Sequence, residues 1–256
     1  MLTRAQIAAI ARKEGLPLHT IERDYLQHLI LRHVTKGKFV FKGGTCLRIA
    51  FGSPRYSEDL DFNSDMDKDE VESHIHETVR RLGDYGITAE LIKEQTIGDI
   101  FNARLRYEGP LFDGNPLSRG TVWIEVSLRR EEVEFEEIFR PRTPYPDVPQ
   151  LVLVTLAENH LLAEKVRALI VRKKARDLFD VHFLIFAGTE CSRSLIDKKM
   201  RIYDRMFSMK ALDTAIKEVE TTWIRDLGSL LGDAPPYEQV AREVRSDFHE
   251  WFSRKK

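Results

Sequence analysis

The sequence predicts an α+β protein in which strand-forming segments gather between residues 39 and 128 and helices occupy both flanks. Three observations point to that class. Apolar residues recur at helical spacing near both ends of the chain. Short apolar or alternating runs bounded by turn residues fill the middle. Four prolines between Arg140 and Pro149 then mark a boundary, since proline lacks the N–H that a regular element needs. At 256 residues the chain has room for one large domain or two modest ones. The expected division is N-terminal helices packed on the core over 1–35, an α/β portion over 36–149 ending in the proline-rich linker or wrap, and a helical portion over 150–256.

Composition sets further bounds. Hydrophobic residues at 42% and charged residues at 32% match a soluble globular protein with ample core material. Lys plus Arg number 40 against 41 Asp plus Glu, so the strongly basic footprint of a nucleic-acid binder is absent globally and only a local patch stays open. Cys46 and Cys191 are too few for a disulfide framework and lack metal-ligand spacing, which reads as reduced thiols. The first ten residues lack the apolar centre of a signal peptide, and no stretch approaches the ~20 apolar residues of a membrane span, so a cytoplasmic protein with no membrane partner is expected.

In chain order, Ile7, Ile10 and Ala11, then Ile21, Tyr25, Leu26, Leu29 and Ile30, make two helical stripes interrupted at Gly15-Leu16-Pro17. His19, His28 and His33 have no metal-site spacing. Phe39-Val40-Phe41 reads as a strand entering a turn at Gly43-Gly44, and Thr45 is placed to cap a helix that buries Leu47, Ile49, Ala50 and Phe51. A glycine-rich turn at a helix N-terminus exposes N–H groups that suit phosphate, although many such turns carry glycine for steric reasons alone. Arg55 follows, free to meet either a phosphate or a carboxylate.

Ser57-Glu58-Asp59-Leu60-Asp61-Phe62 carries the most chemistry. Strand alternation sets Asp59 and Asp61 on one face and Leu60 and Phe62 on the other, a carboxylate pair suited to a hard cation such as Mg²⁺. Residues 68–82 form an amphipathic helix on which His74 and His76 occupy different faces. Strands are expected over 87–92, 100–107 and 121–128. In the last, Glu125 shares a face with Trp123 and Ser127, opposite Val122, Ile124 and Val126, and is either a solvated charge or a third carboxylate beside Asp59 and Asp61. Beyond the prolines the chain reads as helical to its end. One helix over 155–171 carries Lys165. A basic turn, Arg172-Lys173-Lys174, leads to a second helix with Arg176, and with Asp177 and Asp180 in its first turn, where the macrodipole favours negative charge. A phosphate-binding site is the competing account of that basic cluster. Met206, Leu212, Ile216 and Val219 mark a later stripe. Neither a Walker-type loop nor a nucleophile elbow is present.

The ordered set of a Gly-Gly turn, an Asp-x-Asp strand, an h-Glu-h strand and a Lys helix followed by Arg-Asp-x-x-Asp resembles the nucleotidyltransferase superfamily of DNA polymerase β. Within it, the set is similar to the AbiEii/AbiGii-like toxins of type IV toxin–antitoxin systems. Gly44-Thr45 stands where the superfamily has Gly-Ser, and the resemblance covers residues 3–187. It implies a nucleotidyltransferase fold, a mixed β-sheet with flanking helices, followed by a helical C-terminal domain. It also implies Mg²⁺ or Mn²⁺ on Asp59, Asp61 and Glu125, with a nucleoside triphosphate at Gly43, Gly44, Thr45, Arg55, Lys165, Arg176 and Asp177. Lys165 would clamp phosphate, and Asp180 would orient it or the acceptor. The implied acceptor is an RNA hydroxyl, first of all the acceptor end of tRNA, and the implied partner is a cognate antitoxin. Nucleotidylation of a protein side chain and a silent nucleotide-binding protein are the alternatives.

Overall fold

The structure, a computed structural model, describes residues 1–34, 38–129, 134–140 (backbone alone over 137–140) and 143–253. The chain divides into two compact units, Met1–Leu156 and Ala157–Lys256.

The first unit is built on a mixed sheet. Its strands are β1 (Val40–Lys42), β2 (Asp59–Asn63), β3 (Thr88–Ile97), β4 (Ile100–Glu108), β5 (Gly120–Ser127), β6 (Phe135–Arg140) and β7 (Leu151–Leu156), in the order β3-β4-β5-β2-β1-β7-β6 among the described residues. The β2/β5 and β1/β7 pairs are parallel and the others antiparallel. Alternation decides the two faces. Phe41, Leu60, Phe62, Phe101, Ala103, Leu105, Tyr107, Val122, Ile124 and Val126 are all buried on one, and half-exposed polar residues line the other over β2, β5 and β4.

Two helices precede the sheet. In α1 (Arg4–Glu14), Thr3 and Gln6 form a reciprocal capping box, and Gly15 closes the C-terminus at φ 66°. Helix α2 (Leu18–Leu31) starts after Pro17 and buries Ile21, Tyr25, Leu26, Leu29 and Ile30. Helices α3 (Gly43–Ile49) and α4 (Lys68–Arg81) follow β1 and β2.

The structure corrects the expected elements at several points. Residues 151–156 form β7, where the reading placed helix from residue 155. A Leu-Val-Leu-Val-Thr-Leu run, buried except at Val152 and flanked by strands on both sides, has no polar alternation to distinguish it from a helix. Strand β6 lies at the end of the strand order among the described residues, and its sequence Phe-Glu-Glu-Ile-Phe-Arg lacks the apolar alternation that marks a strand. Thr45 does not cap α3: the N-cap position is Lys42, and Thr45 lies inside the helix. Of the proline-rich stretch, Pro141 and Arg142 lie outside the described residues. The rest wraps back onto α2. Tyr145 is buried, its hydroxyl donates to Asp24 Oδ2 at 2.6 Å, and its ring meets Tyr25 and His28 edge-on at 5.1 and 5.0 Å.

The second unit is helical among the described residues: α5 (Glu158–Arg172), α6 (Ala175–Phe186), α7 (Arg193–Arg201), α8 (Met209–Glu218), α9 (Trp223–Leu227) and α10 (Tyr237–Ser253). Leu161, Val166, Leu169, Leu178, Val181, Ile196, Met200, Leu212, Ile216, Trp223, Val244 and Phe248 make its core. Met206, expected on a buried stripe, is exposed in the segment before α8, while Leu212, Ile216 and Val219 are buried as the period requires. No helix among the described residues is long and apolar enough to cross a membrane.

Candidate active site

The site in the first unit is a product of strand register. Asp59 and Asp61 alternate with buried Leu60 and Phe62 on β2 and emerge half-buried on the polar face. Strand β5 runs parallel to β2 with Asp59 opposite Trp123 and Asp61 opposite Glu125. Residues in register on adjacent strands share a face, so the three carboxylates stand on one side of the sheet, strands about 4.8 Å apart. On the other flank of β2, Lys42 of β1 is opposite Asp61. Among the described residues no three His, Cys, Asp or Glu side chains are already drawn into a cation site. Asp59, Asp61, Glu125 and Lys42 each engage other groups of the protein.

The glycine turn abuts this face. Gly43 has φ 77°, in the left-handed region where side chains are strained, and a Cβ there would sit 2.0 Å from Asp61 Oδ2. The backbone therefore approaches the carboxylate as closely as only glycine permits. At Gly44 a Cβ would meet a terminal nitrogen of Arg55 at 2.4 Å and Ser57 Oγ at 2.8 Å. Arg55 is 1% exposed and donates from Nη1 to the Tyr56 carbonyl at 2.8 Å. The guanidinium expected to reach nucleotide thus lies beneath the turn and supports it. Thr45 is fully buried and its hydroxyl donates to the Asp59 carbonyl oxygen, tying α3 to β2.

The loop leading into β2 is held from α2. Arg23 pairs with Glu58 at 2.7 Å, and Gln27 Nε2 donates to the Ser57 carbonyl at 3.2 Å. The Arg48 guanidinium lies 3.9 Å over the Tyr56 ring. Burial pushes the Tyr56 hydroxyl up to about 12, against the opposing pull of Arg48, so it stays protonated.

The remaining sequence candidates belong to the helical unit. Lys165 on α5 and Asp180 on α6 form a buried ion pair, Nζ to Oδ2 2.7 Å. Asp177 is fully buried and takes both arms of the Arg172 guanidinium, each at 2.7 Å. That bidentate bond clasps the end of α5 to the start of α6 and occupies the carboxylate expected at the nucleotide. Asp180 lies in the second turn of α6, too far along for the first-turn dipole account. Arg176 is half-buried and has no ion-pair partner among the described residues. A second pair, half-buried Glu164 with buried Lys199 of α7 at 3.0 Å, was not anticipated: a lone Lys in the charged run Asp197-Lys198-Lys199 carries no pattern that marks it as buried.

The structure is similar to MenT4, a nucleotidyltransferase toxin from Mycobacterium tuberculosis, with TM-score 0.65 and 21% identity over 96% of this chain and 89% of that one. It is also similar to JHP933 from Helicobacter pylori, with TM-score 0.56 and 20% identity over 94% and 96% of the two chains. At these identities the likeness speaks for the fold. A search of curated proteins gave no significant match. The family model for the nucleotidyl transferase AbiEii toxin of type IV toxin–antitoxin systems matches residues 24–253, nearly the whole chain, and the protein belongs to that family of nucleotidyltransferases.

Proposed function

We propose that the protein transfers a nucleoside monophosphate from a nucleoside triphosphate to an RNA hydroxyl, with the acceptor end of tRNA as its first acceptor. In this reading it acts in the cytoplasm as a toxin restrained by a cognate antitoxin. The observation that carries the reading is the register of β2 with β5, which sets Glu125 opposite Asp61 and beside Asp59. An all-carboxylate donor set suits Mg²⁺ or Mn²⁺, and the cradle at Gly43, which a Cβ would fill, keeps backbone against Asp61. Bound there, such ions would neutralise charge on the attacking and leaving oxygens.

The chain's own groups have separate parts. Asp59, Asp61 and Glu125 would hold the cations; a carboxylate beside them takes the proton of the acceptor hydroxyl as its oxygen bonds to the α-phosphorus and pyrophosphate departs. Gly43 and Gly44 offer backbone N–H groups to the β- and γ-phosphates. Thr45 and Arg55, both buried, position that turn. Lys165 is the phosphate clamp, with Asp180 fixing its ammonium at 2.7 Å, and Arg176 is a second cation for the triphosphate. Asp177 acts through Arg172.

Incubation with Mg²⁺, each α-labelled nucleoside triphosphate and total tRNA tests this, with Asp59→Ala alongside. Label on RNA that vanishes in the variant is expected. Label that survives loss of Asp59 refutes the carboxylate assignment, and label on protein instead of RNA refutes the acceptor.

A further inference from the structure

The polar face of the sheet does not end at the carboxylates. One row, level with Asp59, continues across β5, β4 and β3 as Trp123, Arg104 and Lys93, each opposite the next. The Arg104 guanidinium carbon lies 5.4 Å and Lys93 Nζ 5.7 Å from the centre of the Trp123 ring. Lys93 is exposed and the other two are half-buried. Arg104 Nε has no hydrogen-bond partner among the described residues, although it is shielded from water. In the adjacent row the cation is answered, Arg106 pairing with Glu90 at 2.6 Å. Among the described residues, the row beside Asp59 therefore keeps two cations and an indole with no anion between them.

A break in the strand puts Lys93 there. Leu91 pairs with Leu105 on the apolar face, yet Lys93 pairs with Arg104 on the polar one, because the register shifts between Leu91 and Lys93. Regular alternation would have turned Lys93 to the face of half-buried Leu91, away from Arg104. A bulge that re-aims one side chain onto a charged row is a device associated with binding faces.

We propose that Trp123, Arg104 and Lys93 form the track on which the single-stranded acceptor end of the RNA lies, a base stacked on Trp123 and backbone phosphates on Arg104 and Lys93. The terminal hydroxyl then points along the row to Asp59. Three strand spacings of about 4.8 Å give the track a length of about 14 Å, enough for the last few nucleotides of an acceptor. Aromatic stacking combined with cations along the backbone is how single strands are held without reading their sequence, and the anionic strand complements the two unanswered cations. The inference rests on the RNA-acceptor reading above and adds to it where the strand runs.

Wild-type enzyme is first assayed for transfer of α-labelled nucleotide to RNA, and the KM for RNA and for triphosphate are then compared in Lys93→Gln/Arg104→Gln and in Trp123→Phe. The cation variant is expected to raise the RNA KM at least tenfold, to hold the triphosphate KM within twofold, and to flatten the slope of log affinity against log salt by about 1.4 for the two charges removed. Arg104→Lys, which keeps the charge, retains the slope. Unlabelled single-stranded RNA is expected to quench tryptophan emission in the wild type and not in Trp123→Phe. Circular dichroism melts confirm that each variant folds. RNA KM, salt slope and quenching that match the wild type, with label still transferred to RNA, overturn the track and leave the reaction standing. A wild-type enzyme that labels protein and no RNA overturns both.

Discussion

Gly43→Ala separates the cost of backbone strain from the cost of a displaced carboxylate. The added methyl would lie 2.0 Å from Asp61 Oδ2, 2.8 Å from its Cγ and 2.9 Å from its Cβ. Rotating the Asp61 side chain relieves the first two contacts but not the third, because Cβ is fixed to the β2 backbone. Ordinary contact begins near 3.4 Å, so the oxygen must retreat by about 1.4 Å. Misplacing a reacting constellation by ~1 Å costs about 100-fold in rate, or about 2.7 kcal/mol in the barrier. The left-handed φ of 77° adds about 1–2 kcal/mol of folding strain for a residue with a Cβ, roughly 2–8 °C in Tm. Gly15→Ala is the control: its φ is 66°, yet nothing lies within 4 Å of the position its Cβ would take. Calorimetry should show a loss of Tm in both variants, larger for Gly43→Ala because its Cβ also crowds Asp61 Cβ at 2.9 Å. Single-turnover transfer should fall about 100-fold for Gly43→Ala alone. A Gly43→Ala enzyme within threefold of wild type, or an equal rate loss in Gly15→Ala, refutes the coupling of turn to carboxylate.

Three further outcomes are expected. Lys165→Met leaves Asp180 charged and buried and should destabilise by about 3–5 kcal/mol in urea titration, toward the lower end because Asp180 has a further partner. Lys165→Met/Asp180→Leu should recover most of that stability while nucleotide transfer stays lost, and recovery of transfer would reduce the pair to a structural role. Tyr145→Phe removes the hydroxyl that donates to buried Asp24 at 2.6 Å and should cost about 1–3 kcal/mol by the same titration. Burial lowers the pKa of His28 from 6.5, so the unfolded state takes up its proton first and stability falls as pH drops below 6.5 toward the folded value. The difference in urea midpoint between wild type and His28→Gln should narrow over that descent, and a pH-independent difference would contradict the assignment.

How much of the site was legible in the sequence follows the range of each interaction. Asp59 and Asp61 could be placed on one face because alternation along a strand is local, and Gly43 stood out as half of a glycine pair after an apolar run, a turn signal whose φ of 77° the fold then supplies. The partnership of Asp61 with Glu125 could not be read directly, since β3 and β4 intervene in the chain and a parallel pairing leaves no trace at either end. For the same reason the bulge that turns Lys93 was hidden, as an added residue is defined only against its partner strand. Arg55 and Asp177 looked like ligand residues because charge in a motif suggests contact with substrate. Their burial is a property of the packed chain, Arg55 lying under Gly44 and Asp177 within the Arg172 clasp. The Leu151–Leu156 run shows the converse limit, where a strand buried within the sheet reads as a featureless apolar stretch.

The pairing of β2 with β5 also makes the hydrophobic core a proofreader of the carboxylate face. The same register that sets Glu125 against Asp61 sets Ile124 against Leu60 and Val126 against Phe62. Slipping β5 by one residue would expose those apolar side chains and sink the carboxylate into the core, so an active but misassembled sheet is not an accessible state. Strand β5 also lies between β4 and β2, whereas the ribosome delivers β2 first. The three carboxylates come together only after that long loop has closed. A carboxylate set built in this order is incomplete on the nascent chain until its scaffold has closed.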